Sequence, residues 1–406
     1  MDRVYRKKEN CYGCTACENI CPKKAISMKA DEKGFLYPEI DSTKCVDCSM
    51  CEKVCPYNCD VRKTNFKQRY FAVQNLDANV VFHSSSGGFF TAISDQILAS
   101  DGVVYGACFD EGFVVKHARA TDKSARDEFI GSKYVQSNMA GIMQSLLLDL
   151  ERGKMVLFTG TPCQVAGVSS FVMKKRHSLD GLLLCDFICH GASSPMVWES
   201  YVDFFSQKYE GGLTVYQFRG KKQGWHQRYP IIMNKEKELS EEYRKKDSYL
   251  LLYQTCFANR ESCYSCKYTS YERASDITMA DFWNIGKVCT EMDDNKGTSE
   301  ILINSVKGLE WFEKCKEYIR YVECSKEDVW QPHLEYPEAM SPKRELFWNE
   351  YHAKDFSEIL AKYGKGDFMT KMKNLITPIA KKIGIYVLLG KLYRLLFVRK
   401  EKADDR

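Results

Sequence analysis

Apolar residues recur along most of this chain with two different periods. From about residue 69 onward, short apolar or alternating blocks that predict β-strands are interspersed with longer blocks of helical period. Strands are predicted at 70–75, 102–110, 113–121, 155–160, 182–191, 213–220, 229–234, 275–283 and 300–306. Helices are predicted at 87–100, 139–153 and 161–172. Strands that alternate with helices are typical of an α/β domain built around a mixed or parallel sheet.

The first 60 residues follow a different pattern, in which cysteines recur. Two runs share the spacing C-x2-C-x2-C-x3-C-P. Their cysteines are Cys11, Cys14, Cys17 and Cys21 in the first run, and Cys45, Cys48, Cys51 and Cys55 in the second. In bacterial ferredoxins with this spacing, the fourth cysteine of each run ligates the cluster of the other run. Between the runs, residues 25–40 predict a hairpin with its turn at 31–34.

We therefore predict two [4Fe–4S] clusters in this segment. One is expected on Cys11, Cys14, Cys17 and Cys55, and the other on Cys45, Cys48, Cys51 and Cys21. Disulfides and a zinc site are the alternatives. Both are disfavoured because the eight cysteines form two matched runs that each end in Cys-Pro.

The change of pattern divides the chain into four predicted parts. A small α+β domain of the two-cluster ferredoxin type spans 1–60, and a larger α/β domain with a mixed sheet spans 61–310. A mostly helical extension, 311–370, and a basic amphipathic tail, 371–406, follow. The tail is interpreted either as a peripheral membrane anchor on anionic lipid, or as a helix that docks on a partner or on its own domain.

Composition narrows the class of protein. The length of 406 residues suggests two or three domains, and the net charge of +5 does not by itself indicate nucleic-acid binding, so no nucleic-acid partner is expected. Nineteen cysteines in clusters favour metal binding in a reducing cytoplasm over disulfides. No signal peptide is visible, and no apolar run is long enough to predict a membrane span.

Two glycine-led loops are candidate anion sites. The first, HSSSGGFF, precedes a predicted helix, and the second is GSKYVQSN. Glycine lets the backbone approach a ligand, and the first amides of a helix are free to bind a phosphate. A serine N-cap and a solvated loop are the respective alternatives. The candidate residues are Ser85, Ser86, Gly87, Gly88, Gly131, Ser132, Lys133 and Tyr134.

Four further cysteines lie at positions typical of metal ligands or reactive thiols. Cys163 falls in the first turn of a predicted helix, where a thiol is activated as a nucleophile or ligand, although it could also pack as a small apolar side chain. Cys189 ends a buried strand, and Cys263 and Cys266 form a C-x2-C pair typical of metal sites. A third cubane cluster on these four cysteines is the preferred interpretation. The neighbouring His190 is interpreted as a polar loop residue rather than as a ligand or proton donor.

Arg219, Trp225 and Trp283 mix charge with aromatic rings in the segments FRGKKQGWH and ADFWNIG. Such side chains can flank a planar ring by stacking. Core packing is the alternative, because buried aromatic residues are more often structural.

The order of these motifs resembles the coenzyme F420 hydrogenase/dehydrogenase beta-subunit family. SSSGGFF, GSKYVQSN, TGTPCQVAG, CHG, SCYSCKY and SDITMADFW follow a double ferredoxin run, and the resemblance covers about residues 8–310. It implies that the larger domain binds FAD, with residues 85–88 and 131–134 near the flavin phosphates and ring. It also implies that the four further cysteines hold a cluster beside the flavin. Ala280 and Asn284 depart from the glycines of the family's usual GDFWG segment.

The resemblance implies an iron–sulfur flavoprotein oxidoreductase. Electrons are expected to pass between the N-terminal clusters, an inner cluster and FAD, in either direction, with ferredoxin or another redox protein as partner. The flavin would then reduce or oxidise a small-molecule substrate, such as deazaflavin or a polysaccharide-pathway compound. The alternatives are an electron-transfer subunit of a larger complex without its own organic substrate, and an iron–sulfur scaffold. No catalytic residue is assigned.

Overall fold

An antiparallel hairpin and two short helices form the N-terminal segment of the computed structural model, which describes residues 7–59, 65–227, 229–235, 237–240 and 248–365. Strands β1 (Ile26–Ala30) and β2 (Leu36–Ile40) pair in the register Ile26↔Ile40. Asp31 closes the predicted turn, because its Oδ1 accepts hydrogen bonds from the backbone amides of Lys33 and Phe35. Helices α1 (Ala16–Ile20) and α2 (Met50–Val54) each carry the third cysteine of one run. The predicted hairpin is therefore confirmed.

An eight-stranded mixed sheet organises the rest of the described chain. Its strands lie in the order β12-β3-β11-β10-β7-β6-β4-β5. They are β3 (Arg69–Asn75), β4 (Val103–Phe109), β5 (Val115–Ala120), β6 (Val156–Thr159), β7 (Leu182–Phe187), β10 (Ile277–Asp281), β11 (Ser299–Ile303) and β12 (Ile319–Cys324). The central strands β4, β6, β7 and β10 pair in parallel, and the remaining pairs are antiparallel. Strands β8 (Val215–Gly220) and β9 (Tyr229–Met233) form a separate hairpin. The expectation of a large mixed sheet with helices is confirmed.

Helices cover the sheet and extend beyond it. They are α3 (Ala78–His83), α4 (Phe89–Ala99), α5 (Lys123–Asp127), α6 (Ile142–Glu151), α7 (Pro162–Arg176), α8 (Pro195–Lys208), α9 (Ser248–Gln254), α10 (Val306–Cys315), α11 (Arg344–Ala353) and α12 (Phe356–Tyr363). Short 3-10 helices occur at Lys8–Asn10, Glu261–Ser265, Ile285–Lys287, Thr290–Met292, Lys316–Tyr318 and Pro332–Leu334. Helix α8 and strand β12 are absent from the sequence-based expectations. Strand β12 joins the sheet from beyond residue 310.

The N-terminal segment shares an apolar core with helices α6 and α7. Ile20 and Val54 are buried among the side chains of these two helices. The Ser170 hydroxyl of α7 donates a hydrogen bond to the Val54 carbonyl at 2.8 Å, and the Tyr268 hydroxyl donates to the Pro56 carbonyl at 3.1 Å. These contacts bring the two cysteine runs against the end of the sheet where β6 runs into α7.

The proposed tail at 371–406 lies outside the described residues, so the interpretation of its role stays a prediction. Among the residues that the structure does describe, no helix combines the length and apolar character needed to cross a membrane.

Candidate iron–sulfur and flavin sites

The last cysteine of the first run and the first three of the second run line one surface pocket. This set is Cys21, Cys45, Cys48 and Cys51. Ile26, Ile40 and Met50 supply apolar walls. The chain turns sharply before α2, because Ser49 takes a left-handed conformation with φ of 56°. The structure thus brings together the four thiols that the spacing assigned to one cluster, in a pocket that Asp47 and Glu52 also line.

The other four cysteines of the two runs are also neighbours. The thiol of Cys17 is buried, and burial together with the adjacent thiols of Cys14, Cys11 and Cys55 raises its pKa well above the usual range. Metal ions bind cysteines as thiolates, so iron bound here would favour the deprotonated form of these crowded thiols. The donor set therefore fits a cubane cluster.

The four cysteines outside the runs line a second pocket, although they come from three distant segments. These are Cys163, Cys189, Cys263 and Cys266. Cys163 lies in the first turn of α7, which begins with a capping box between Thr161 and Gln164. Cys189 follows β7, which pairs in parallel with β6. Because the carboxyl ends of parallel strands meet at one edge of a sheet, these two thiols come together there. The 3-10 helix Glu261–Ser265 brings the remaining pair.

The second pocket has the features of a thiolate site. The backbone amide of Gly191 donates to Cys189 Sγ at 3.4 Å, and that of Ala192 donates to Cys263 Sγ at 3.4 Å. Burial and the thiols of Cys163 and Cys263 raise the pKa of Cys266 to about 12. Amide hydrogen bonds to sulfur tune iron–sulfur clusters, and four converging thiols fit a further cubane.

Two contacts join this pocket to the ferredoxin-like segment. A Cβ added at Gly167 would lie 2.8 Å from Cys14 Sγ, so α7 carries glycine where Cys14 approaches it. The buried guanidinium of Arg260 donates to the Cys11 carbonyl at 2.7 Å and to Cys11 Sγ at 3.4 Å. Arg260 also lines the second pocket, three residues before Cys263. The sequence analysis missed Arg260, for which its position just before the C-x2-C pair was the available signal.

The two glycine-led loops meet in the structure. The backbone amide of Ser132 donates to Ser85 Oγ at 3.0 Å. Gly88 is the N-cap of α4 and has a left-handed φ of 83°. Gly87 packs against the sheet, because a Cβ there would lie 2.2 Å from the Val73 carbonyl oxygen. The hydroxyl of Ser86 is turned inward and donates to the Thr298 carbonyl at 2.8 Å.

Two lysines lie at these loops. Lys133 is half-buried and donates to the carbonyls of Glu128 and Ile130, at 2.9 and 3.2 Å. Lys221 is buried and donates to the carbonyls of Val81 (2.5 Å) and Ser86. Burial lowers the pKa of Lys133 to about 8 and that of Lys221 to about 7. Lys221 is a site residue that the sequence analysis missed.

Arg219, Trp225 and Trp283 pack on one another. The two indole rings stack at 5.0 Å and 5°, and the Arg219 guanidinium lies 5.0 Å from the centre of the Trp283 ring. Asp281 fixes the group, accepting from Arg219 Nη1 at 2.9 Å and from Trp225 Nε1 at 3.1 Å. Trp225 is 2% exposed. Trp225 is thus packed in the interior against Trp283, which is the core-packing alternative given from the sequence.

Comparisons with models of known protein families give two matches along the chain. Residues 10–59 match the model of the 4Fe-4S dicluster domain, which makes this an iron–sulfur electron-transfer protein. Residues 153–328 match the model for the C terminus of the coenzyme F420 hydrogenase/dehydrogenase beta subunit. The resemblance stated from the motifs is therefore confirmed by these two matches.

No curated protein matches the chain. Among solved structures, a chain of the F420-reducing [NiFe] hydrogenase complex from Methanosarcina barkeri aligns with a TM-score of 0.43 at 15% identity. The alignment covers 73% of this chain and 89% of that chain.

Proposed function

We propose that the protein is an iron–sulfur flavoprotein oxidoreductase with three [4Fe–4S] clusters and one FAD. The observation that carries the proposal is the second pocket, where four cysteines from distant segments converge beside Cys11 and Cys14 of the ferredoxin-like segment. Clusters exchange single electrons and a flavin can exchange a hydride, so the two groups together join one-electron donors to two-electron chemistry.

The chain's own residues support a continuous route between cysteine sets. The thiols of Cys163 and Cys14 are close enough to interact electrostatically. Tyr12, from the first run, lines the second pocket, and its ring lies 5.3 Å from that of Tyr268. Arg260 bonds to Cys11 while lining the same pocket. These side chains hold the two sets against each other.

The meeting of the two glycine-led loops supports a site for the FAD phosphates. Buried ammonium groups lose hydration, which is why the pKa of Lys221 falls to about 7. A phosphate nearby would stabilise the charged ammonium form of Lys221. Lys133, on the loop that bonds to Ser85, would act in the same way. The free amides at the start of α4 add a further attraction for an anion.

The proposed reaction is the reduction or oxidation of a small molecule, with ferredoxin or another redox protein as electron partner. Deazaflavin and polysaccharide-pathway compounds are the proposed substrate classes. Turnover by the purified chain with reduced ferredoxin alone is the expected result. Turnover that appears only with a co-purifying protein would instead favour an electron-transfer subunit.

Anaerobic purification followed by flavin extraction tests the FAD site. One FAD per chain is expected. Lys221→Met should weaken FAD binding about tenfold, because a charge-assisted contact contributes about 1.5 kcal/mol. Lys222→Met is the matched control, since Lys222 is exposed and pairs with Glu238 at 2.6 Å. Absence of flavin from the wild type, or equal FAD affinity in the two variants, would contradict this part of the proposal.

A further inference from the structure

Three side chains of metal-ligand type lie together at the edge of the second pocket. They are His190, His333 and Glu338, and one ligand atom from each lies within 4.8 Å of the other two. His190 is exposed, His333 is buried and Glu338 is half-buried. All three line the same pocket as the four cysteines. His190 directly follows Cys189, whereas the other two come from the segment after β12.

His333 is buried without a hydrogen-bond partner for its imidazole ring. Its side chain belongs to the 3-10 helix Pro332–Leu334, and the residue is 6% exposed. Neither ring nitrogen has a hydrogen-bond partner. A buried polar group without a partner costs about 1–3 kcal/mol, so a partner from outside the chain would relieve that cost. The ring centres of His190 and His333 lie 3.9 Å apart, and the two rings are tilted by 47°.

The distances suit metal binding better than an ion pair. His333 Nε2 lies 3.4 Å from Glu338 Oε1. A charge-assisted hydrogen bond is shorter, at about 2.7–2.9 Å. Two ligands about 2.0–2.2 Å from a tetrahedral metal ion are separated by about 3.4 Å.

We propose that His190, His333 and Glu338 bind one divalent transition-metal ion that is separate from the iron of the clusters. Two imidazoles and one carboxylate form a donor set that zinc and non-haem iron both accept, with a position left open. The open position would face the pocket shared with the cysteines. It would hold an oxygen-bearing group of a substrate, such as a carboxylate or a phosphate, beside the proposed inner cluster. The proposal does not depend on FAD binding.

Zinc binding to the anaerobically purified, cluster-loaded protein tests the site. Equilibrium dialysis with Zn²⁺ should show one ion per chain, with iron and sulfide contents unchanged. His333→Gln and Glu338→Gln should each weaken Zn²⁺ binding at least tenfold. His352→Gln, at an exposed histidine of α11, should bind Zn²⁺ as the wild type does. No binding by the wild type, or equal binding by His333→Gln and the wild type, would overturn the proposal.

The ligands of the bound zinc distinguish this site from the cysteine sets. X-ray absorption at the zinc edge should show nitrogen and oxygen at about 2.0–2.1 Å, without sulfur. Sulfur at about 2.3 Å would show zinc on cysteines and overturn the assignment. Loss of iron and sulfide in both His333→Gln and Glu338→Gln would also overturn it, because the three residues would then belong to the cluster site.

Discussion

Arg260 is one of the residues that join the two cysteine-rich regions, and it does so with a buried charge. It is 1% exposed, and its guanidinium lies 4.1 Å from the centre of the Tyr37 ring. Besides its bonds to Cys11, it donates to the Leu36 carbonyl at 2.9 Å and to Gln136 Oε1 at 3.1 Å. A fixed positive charge beside a thiolate cluster stabilises the reduced, more negative state. Arg260 should therefore raise the midpoint potential of the proposed cluster on Cys11, Cys14, Cys17 and Cys55.

Replacement of Arg260 by glutamine should lower that midpoint potential by about 60 mV. The estimate takes a charge-assisted hydrogen bond of about 1.5 kcal/mol and a one-electron couple. An anaerobic redox titration followed by electron paramagnetic resonance measures the shift. Arg260→Lys should lower the midpoint potential less than Arg260→Gln does. Arg152→Gln, at an exposed position, should leave the midpoint potential unchanged. A wild-type potential in Arg260→Gln would contradict the assigned role.

The buried carboxyl of Glu300 should make the stability of the protein depend on pH. It lies in β11, is 1% exposed, and accepts from Gln331 Nε2 at 2.9 Å, while its Oε1 has no hydrogen-bond partner. Burial raises its pKa well above the ordinary 4.5. The folded protein therefore retains a proton that the unfolded chain loses above about pH 4.5, so the contribution of Glu300 to stability falls as the pH rises.

Glu300→Gln should remove that pH dependence. The unfolding free energy of the variant relative to the wild type should increase between pH 5 and pH 8, as measured by denaturant unfolding under anaerobic conditions. Glu310→Gln, at an exposed position of α10, is the control and should show a constant difference. A constant difference for Glu300→Gln as well would show that the carboxyl is ionised in the folded protein.

Helix α7 is the element that links the sheet to the cysteine runs. Cys163 and Gly167 are four residues apart and lie on one side of the helix. Cys163 lines the second pocket, while Gly167 lets Cys14 approach the helix. One helix face thus touches two cysteine sets, which explains why a small residue is needed one turn after the thiol.

Gly167→Ala should destabilise the protein by about 1–3 kcal/mol, the usual cost of an overpacked interior. The added Cβ would lie 2.8 Å from both Cβ and Sγ of Cys14, and something must shift. Thermal unfolding of the anaerobic protein measures the loss. Gly112→Ala is the control, because its nearest neighbour would be Asp110 Oδ1 at 3.7 Å. Equal melting temperatures for the two variants would contradict the close contact.

Elements set by local sequence were predictable, whereas elements set by distant partners were not. The strands observed as β4 and β5 were predicted, and the turn between them is local, because Asp110 Oδ1 accepts from the amides of Gly112 and Val114. Strand β12 was missed because its residues are mostly exposed or half-buried at the sheet edge. Its place beside β3 depends on a partner about 250 residues earlier.

The same contrast holds for the sites of the whole molecule. The spacing of the two runs was sufficient to group Cys21 with Cys45, Cys48 and Cys51, because the motif itself assigns the fourth cysteine of each run to the other cluster. Arg260 and Lys221 were missed because their partners are far away in sequence: Arg260 bonds to a residue 249 positions earlier, and Lys221 to one 140 positions earlier.

Across the whole molecule, three cysteine sets lie along one path from the surface pocket of the second run to the pocket at the end of β7. Cys48 is exposed in the first of these pockets, so that end is the accessible one for a redox partner. Cys14 and Cys163 are neighbours in the middle of the path. The third cysteine set is the part on which the account of electron transfer depends.

Iron and sulfide analysis of the anaerobic wild type beside a Cys263→Ala/Cys266→Ala variant tests this set most directly. About twelve irons and twelve sulfides per chain are expected for the wild type, since each cubane holds four of each. The variant should retain about eight of each, because the ferredoxin-like segment keeps all its ligands. About eight irons in both proteins would contradict the third cluster and, with it, the proposed path from the N-terminal clusters to the flavin.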